Sequence, residues 1–163
     1  MKLVRSLARR KHRDETGLFL AEGLDFAVRA TEGGFRARYL VLAADHRRDD
    51  AALTLIEGAR SGGAQVAAVP RALLSRMTGK DNPQDLLLVA EQRWAAALPS
   101  PIADGDVILV LDRIRDPRNL GAVFRTAAAA GARGVVLAGE CCDPFSPEAV
   151  RASAGSLFAV PVM

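Results

Sequence analysis

Cysteine, histidine and aromatic residues are scarce in this 163-residue sequence. Its two cysteines, Cys141 and Cys142, are adjacent, a spacing that disfavours an unstrained disulfide and matches no zinc-binding pattern. They therefore predict reduced thiols in a cytoplasmic protein. His12 and His46 have no cluster of partner ligands around them in the sequence, so we expect no metal site. The eight Phe, Tyr and Trp residues are too few and too scattered to suggest a stacking platform for single-stranded bases.

Long apolar runs and common nucleotide-binding motifs are also missing. No run approaches the roughly 18–20 apolar residues that a membrane span needs, and the start of the chain lacks the apolar core of a signal peptide. We therefore expect neither membrane insertion nor export. A generic nucleotide-binding α/β domain is disfavoured, because no Gly-x-Gly-x-x-Gly follows a predicted strand and no Walker lysine is present.

Positive charge is concentrated in the first part of the chain. Residues 1–93 carry sixteen basic and twelve acidic side chains, whereas residues 94–163 carry six and seven, and no acid precedes Asp14. A basic arm attracts phosphate backbones through long-range, salt-sensitive forces, although a solvated basic helix has the same composition. The candidates for such contacts are Arg9, Arg10, Lys11 and Arg13.

Strands and helices are predicted to alternate in two α/β blocks. In the first block, a basic helix at about 3–11 precedes three further helices, at about 23–32, 50–61 and 70–77. Apolar runs predict its strands at 18–23, 38–43, 64–69 and 85–92. This alternation predicts a compact, mostly parallel, three-layer domain. Two prolines, a glycine and small side chains make residues 94–105 suitable as a linker.

The second block has the pattern of a β-α-β-α-β half-domain. Strands are predicted at 107–111, 134–139 and 157–162, and helices at about 118–130 and 146–155, the latter capped by Ser146. A sheet that ends on a strand with no covering helix leaves apolar surface exposed. We therefore expect the chain to be cut off within a longer domain.

The turn DRIRDPRNLG, at 112–121, joins a predicted strand to a predicted helix and carries unusual charge. Asp116 or Asn119 is suited to cap the helix, and Gly121 would let a ligand approach the backbone. Arg125 falls off the apolar stripe of the helix and is predicted to reach toward the turn, into the cleft above the strand ends. From these residues alone, caps, solvated loop charges and a surface arginine explain the pattern equally well.

Three segments resemble a known family. VLDRIRDPRNLGAVFRTAAAAGARGVVL (110–137) closely resembles the first signature region of the SpoU/TrmH family of RNA ribose 2′-O-methyltransferases, within the SPOUT superfamily. VRASAGSLFAVPV (150–162) resembles the family's next ordered stretch, although Ser156 stands where alanine is usual. RKHRDETGLFLAEGLDFAVRA (10–30) looks like the opening of the small L30e-like substrate-binding domain that precedes many of these catalytic domains.

The resemblance implies a division of the chain. It implies an α/β substrate-binding domain of the L30e-like type at 1–93, a linker at 94–105, and the N-terminal part of an α/β SPOUT methyltransferase domain at 106–163. The family's trefoil knot and most of its donor site are built from two downstream segments, a glycine-rich loop carrying a glutamate and a serine-leucine-asparagine stretch. Neither occurs here, so the resemblance implies that the knot-forming part is absent.

The resemblance also implies the chemistry. Family members use S-adenosylmethionine, act as homodimers and bind RNA across both subunits. Matched residue by residue, the family's asparagine falls on Asn119 and its catalytic arginine on Arg125, while Ser153 and Gly155 match the later motif and are candidate donor contacts. The residues expected to contact RNA are Arg9, Arg10, Lys11, Arg13, Arg118 and Arg151.

A cytoplasmic RNA methyltransferase acting on a ribose 2′-hydroxyl is the function that this resemblance predicts, with ribosomal RNA preferred over transfer RNA and with neither a metal nor a membrane involved. Because the downstream segments are missing, we expect this chain alone to be inactive. The alternative is a non-catalytic RNA-binding module that retains a degenerate methyltransferase half.

Overall fold

The computed structural model describes residues 2–46, 49–97 and 100–163. They divide into two compact units, Met1–Gln92 and Arg93–Met163. Two residues of the predicted linker pack within the second unit. The ring of Trp94 meets that of Phe145 edge to face, with centroids 5.2 Å apart, and the amide of Ala95 donates to the carbonyl of Val162. Leu98 and Pro99, also within the predicted linker, lie outside the described residues.

The first unit is a four-stranded sheet with helices on both faces. Its helices are α1 (Lys2–Ser6), α2 (Arg10–Thr16), α3 (Leu24–Glu32), α4 (Asp50–Ser61) and α5 (Arg71–Thr78). Its strands are β1 (Leu18–Glu22), β2 (Ala37–Ala43), β3 (Gln65–Val69) and β4 (Leu86–Glu91). Every predicted strand of this block is therefore confirmed to within about two residues, the usual uncertainty of an element boundary.

The prediction of a mostly parallel sheet is wrong. The strand order is β1-β4-β2-β3, and only β2 and β3 are parallel. β4 lies between β1 and β2 and is antiparallel to both. Its position depends on which distant strands it pairs with, a choice that alternation of helices and strands along the chain does not determine.

Two helices cover each face of this sheet. One face forms an apolar cluster with α1 and α5, to which Val4, Leu7, Leu74 and Met77 contribute from the helices. Because side chains alternate along a strand, the intervening buried residues of the strands point to the other face, where α3 and α4 contact the sheet. On that face Phe19 packs edge to face against Phe35, with ring centroids 5.7 Å apart.

The predicted single helix at 3–11 is wrong, since two helices occupy this region. α1 ends at Ser6 and α2 begins at Arg10. Arg9, between them, is extended, with φ −97° and ψ 131°. The break leaves the carbonyl of Leu7 without a helical partner, and the guanidinium of Arg13 donates to it at 2.7 Å.

The second unit contains β5 (Ile108–Asp112), α6 (Pro117–Ala129), β6 (Gly134–Ala138) and α7 (Pro147–Ala152). β5 and β6 are parallel, as predicted, and Leu120, Phe124 and Ala127 form the buried side of α6. Ser146 caps α7, its Oγ accepting from the amide of Ala149, which confirms the predicted cap. None of the helices in the described ranges has the length and apolarity needed to cross a membrane.

The predicted strand at 157–162 is wrong. Ser156–Phe158 form a 3-10 turn, and Val162 makes an isolated bridge to Val135. α7 also stops at Ala152 rather than at about 155. A short apolar run does not distinguish a strand from a buried turn, and Pro161 lacks the amide that a continuous ladder requires.

Candidate functional site

The turn between β5 and α6 is held by local contacts. Arg113 has a left-handed backbone, with φ 52°, and its Nε and Nη2 donate to Asp112 Oδ2 at 2.9 and 2.8 Å. Its side chain crosses Gly139, where a β-carbon would lie 2.9 Å from Arg113 Cγ. Arg115 pairs with Glu140 at 3.1 Å. Both arginines therefore already have carboxylate partners.

The two cysteines lie beside this turn. The amide of Cys142 donates to the carbonyl of Ile114 at 2.8 Å, and the Sγ of Cys141 lies 3.2 Å from the carbonyl of Ala138. Both are free thiols, and burial raises the pKa of Cys142 above its ordinary value. Cys142 is therefore mainly a protonated thiol near neutral pH, not a nucleophilic thiolate.

Asp116 begins α6. Its Oδ1 accepts from the amide of Arg118 at 2.7 Å, and Pro117 occupies the first helical turn. Of the two predicted caps, the structure thus uses Asp116. Asn119 lies inside the helix with its side chain exposed, and its amide makes no hydrogen bond to any residue that the structure describes.

Gly121 has a different role from the predicted one. A β-carbon at this position would lie 2.5 Å from Ala152 Cβ and 2.8 Å from the carbonyl oxygen of Ala149. The side of α6 that we expected to admit a ligand is therefore filled by α7. This glycine allows two helices to touch.

Arg118 and Arg125 share the solvent side of α6. They are seven residues apart, which is about two helical turns, and both are exposed. Neither guanidinium has an ion pair or a hydrogen bond with any residue in the described parts of the chain. α6 itself contains no acidic residue. This side of the helix is therefore free to receive an anion.

Asn119 is displaced around the helix from Arg125. A separation of six residues places the two side chains about 120° apart around the axis, and the structure shows no bond between them. Within the residues that the structure describes, the Asn119 amide therefore does not orient the Arg125 guanidinium directly. Both side chains still point away from the buried stripe of α6.

The three predicted site residues near α7 occupy different environments. Arg151 is exposed, with no partner among the residues described. Ser153 is 0% exposed, and its Oγ donates to the carbonyl of Val150 at 2.7 Å. Gly155 is buried and left-handed, with φ 87°. The hydroxyl of Ser153 is thus already used within the last turn of α7.

The predicted basic arm is mostly neutralised. Arg10 pairs with Asp14 at 3.6 Å and Lys11 with Glu15 at 3.8 Å, both across one helical turn. Arg13 is 3% exposed, which argues against the predicted contact with RNA. Its guanidinium joins α2 to the end of α1. Arg9 remains exposed.

One charged network of the first unit was not expected from the sequence. Arg71 Nε donates to Asp45 at 2.7 Å, and its Nη2 donates to Asp85 at 3.0 Å. His46 Nδ1 lies 3.6 Å from the same Asp85 carboxylate. Arg71 is the main cause that lowers the pKa of Asp85. Arg71 begins α5, whereas Asp45 and His46 follow β2 and Asp85 precedes β4, so no local sequence pattern marks the network.

No cluster of three or more His, Cys, Asp or Glu residues suited to a metal ion occurs in the described ranges.

Residues 106–163 match the SpoU rRNA Methylase family, and residues 1–88 match the MRM3-like substrate binding domain.

Individual relatives are similar along nearly the whole chain. The 23S rRNA (uridine(2479)-2′-O)-methyltransferase of Streptomyces viridochromogenes is 29% identical over 96% of this chain and 54% of its own length. The 23S rRNA (guanosine(2553)-2′-O)-methyltransferase of Bacillus subtilis is 28% identical over 98% and 59%. The AdoMet-bound rRNA methyltransferase structure from Sinorhizobium meliloti has a TM-score of 0.88 and 40% identity, over 99% and 59%. This chain therefore spans little more than half the length of these relatives.

Proposed function

The chain belongs to the SpoU rRNA methylase family, and on this premise we propose that its protein transfers a methyl group from S-adenosylmethionine to a ribose 2′-hydroxyl of ribosomal RNA. One observation carries the proposal to this chain's own residues. Arg125, at the position of the family's arginine, is exposed on an acid-free helix and has no anionic partner in the described structure. An arginine without a protein partner is available for a phosphate.

Ribosomal RNA is the substrate class that the relatives favour. Both methyltransferases described above are named for 23S rRNA, and the first unit matches a substrate-binding domain. We therefore propose that the domain at residues 1–93 recognises the RNA and that the domain at residues 106–163 carries out the reaction.

Arg125 would act by positioning. Its planar guanidinium can grip the phosphate next to the target ribose through two parallel hydrogen bonds, which fixes the 2′-hydroxyl for attack. Removing a proton is a poor role for arginine, because a guanidinium stays protonated in proteins. Arg118, about two turns away on the same side of α6, would hold a neighbouring phosphate. Asn119 would contact the ribose instead of the guanidinium.

S-adenosylmethionine, when bound, supplies an electrophilic methyl group on a sulfonium centre. The residues present do not by themselves provide its site, because the hydroxyl of Ser153 is buried and already donates to Val150. Gly155 remains a candidate donor contact only through its backbone. Arg151 stays a candidate RNA contact.

We further propose that the protein is a cytoplasmic homodimer. The exposed end of α6 and the turn after it, residues 129–131, consist of alanine and glycine, so a second subunit can approach this segment closely. Chemical crosslinking followed by mass spectrometry would test this contact directly.

A methyl-transfer assay tests the proposed function. The full-length protein would be incubated with tritiated S-adenosylmethionine and with ribosomal or transfer RNA, and incorporation would be mapped by ribose-methylation sequencing. Incorporation at one ribosomal 2′-hydroxyl is expected. RNA binding without any incorporation would favour a non-catalytic RNA-binding module, and incorporation into a base would overturn the proposed chemistry.

A further inference from the structure

The two helices on one face of the first unit contain no acidic residue. α1 has the sequence KLVRS and α5 the sequence RALLSRMT. Lys2, Arg5 and Arg76 are exposed on these helices, and none of their side chains has an ion pair or a hydrogen bond with another residue in ranges 2–46, 49–97 and 100–163. We call these three residues the basic face.

Packing brings the basic face together. Val4 and Leu7 of α1 share one apolar cluster with Leu74 and Met77 of α5, and the two helices are in contact. Because the inward residues of both helices meet over the same face of the sheet, their outward residues share one surface. Lys2 and Arg5 are three residues apart and therefore neighbours on α1.

The opposite face of the sheet has the opposite charge balance. α3 and α4 carry the acids Asp25, Glu32, Asp50 and Glu57. Their two exposed cations are Arg29 and Arg60. A polyanion approaching this unit would therefore be attracted to the α1–α5 side and repelled from the α3–α4 side.

Four other cations of this unit are already engaged. Arg10 and Lys11 pair with acids of their own helix, Arg13 is buried, and Arg71 of α5 is held by Asp45 and Asp85. A cation that must first leave a carboxylate gains less from a phosphate than an unpaired one does. The basic face is free of this competition.

We propose that the basic face holds the phosphate backbone of the RNA substrate, in place of the arm at Arg10, Lys11 and Arg13. This rests on the proposed function, since it takes RNA as the substrate. A membrane surface is a poorer match, because the large exposed apolar side chains, Leu53, Trp94, Ile102, Val107 and Val110, all lie outside α1 and α5. Such phosphate contacts would position the RNA without reading its sequence.

Two matched double variants test the proposal in the full-length protein. Arg5→Gln/Arg76→Gln removes two charges from the basic face, and Arg29→Gln/Arg60→Gln removes two exposed arginines from the other side. Binding to a fluorescein-labelled 23S rRNA fragment would be followed by anisotropy as the KCl concentration is raised. The first variant should reduce the slope of log affinity against log salt by about 1.4–1.8, since each phosphate contact contributes about 0.7–0.9. The second should leave the slope unchanged.

A third variant removes no packing. Ala72→Glu adds an acid one turn before Arg76, at an exposed position of α5, and should also weaken RNA binding. Thermal unfolding of each variant would confirm that it folds. Anionic phosphatidylserine vesicles serve as the alternative ligand, and binding to vesicles but not to RNA would overturn the proposal.

The outcomes distinguish this proposal from the proposed function. If the wild-type protein methylates ribosomal RNA but both double variants have equal slopes, the basic face is wrong and the function stands. If the wild-type protein binds no RNA at any salt concentration, both are wrong. A reduced slope confined to Arg5→Gln/Arg76→Gln and a weaker affinity in Ala72→Glu would support the basic face.

Discussion

Gly121 and Ala152 lie so close that a β-carbon on the glycine would be 2.5 Å from the β-carbon of the alanine. α6 therefore rests directly on the backbone of α7, whose Ala149 carbonyl oxygen would be 2.8 Å from the same added atom. This distance is far below ordinary contact, so a methyl group here must push the two helices apart.

We predict that Gly121→Ala destabilises the second unit by about 1–3 kcal/mol, the usual cost of overpacking. Trp94 is the sole tryptophan of the chain and packs on Phe145, so its emission during urea unfolding reports on this unit. Gly58→Ala in α4 is the matched control, and its stability is followed by hydrogen exchange of the β4 amides because α4 belongs to the first unit. No atom would lie within 4 Å of its new β-carbon, so this change should stabilise by about 0.5–1 kcal/mol. Equal stability of both variants would contradict the packing argument.

For Arg125→Lys in the full-length protein, we predict that methyl transfer falls by about 100-fold or more, because a point charge does not reproduce a bidentate fork. RNA affinity should change by less than about fivefold, since the positive charge is kept. Arg118→Lys, on the same side of α6, should lose much less activity. Single-turnover methylation and anisotropy binding measure the two effects separately, and near-normal turnover of Arg125→Lys would refute the assigned role.

Arg13→Met should destabilise the first unit by about 2 kcal/mol. The substitution keeps an apolar stem but leaves the buried carbonyl of Leu7 without its charged donor. Arg10→Met in the same helix changes an exposed residue and should alter the free energy of unfolding by less than about 0.5 kcal/mol. Hydrogen exchange of the β4 amides reports on this unit. Similar exchange rates in both variants would show that the buried guanidinium contributes little.

Acid should destabilise the first unit through Asp85. The Arg71 guanidinium lowers the pKa of this carboxyl below its ordinary value of 3.8, so the folded state favours the ionised form. The resulting stabilisation is present above pH 3.8 and is lost as the pH falls further. The hydrogen-exchange protection of the β4 amides would be compared at about pH 5 and about pH 2.5. Asp85→Asn should reduce the difference in protection between these two pH values. An unchanged difference would show that Asp85 does not cause the destabilisation in acid.

Local signals in the sequence identified most elements correctly. The start of α7 followed from Ser146, and Asp116, one of the two candidate caps, begins α6 one residue before the predicted bound, since each cap is complete within a few residues. The exposure of Arg125 followed from the apolar stripe of α6, which assigns the opposite side to solvent. These predictions needed no knowledge of distant contacts.

Three predictions failed because they depend on residues that the sequence does not mark as neighbours. They concern the place of β4 in the sheet, the burial of Arg13 and the crossing of α6 and α7 at Gly121. Arg13 belonged to a run of cations that looked uniformly solvated, yet the break after α1 created one buried acceptor for it. Charge runs predict an average environment, whereas each member's burial is decided by packing.

Gly121 and Arg125 are one helical turn apart in α6, and we expect substitutions at either position to abolish function in a genetic screen. A growth-based mutational scan would score both positions as intolerant. Protein abundance would distinguish them. Substitutions at the glycine should lower the amount of folded protein, whereas substitutions at the arginine should leave the protein folded but inactive.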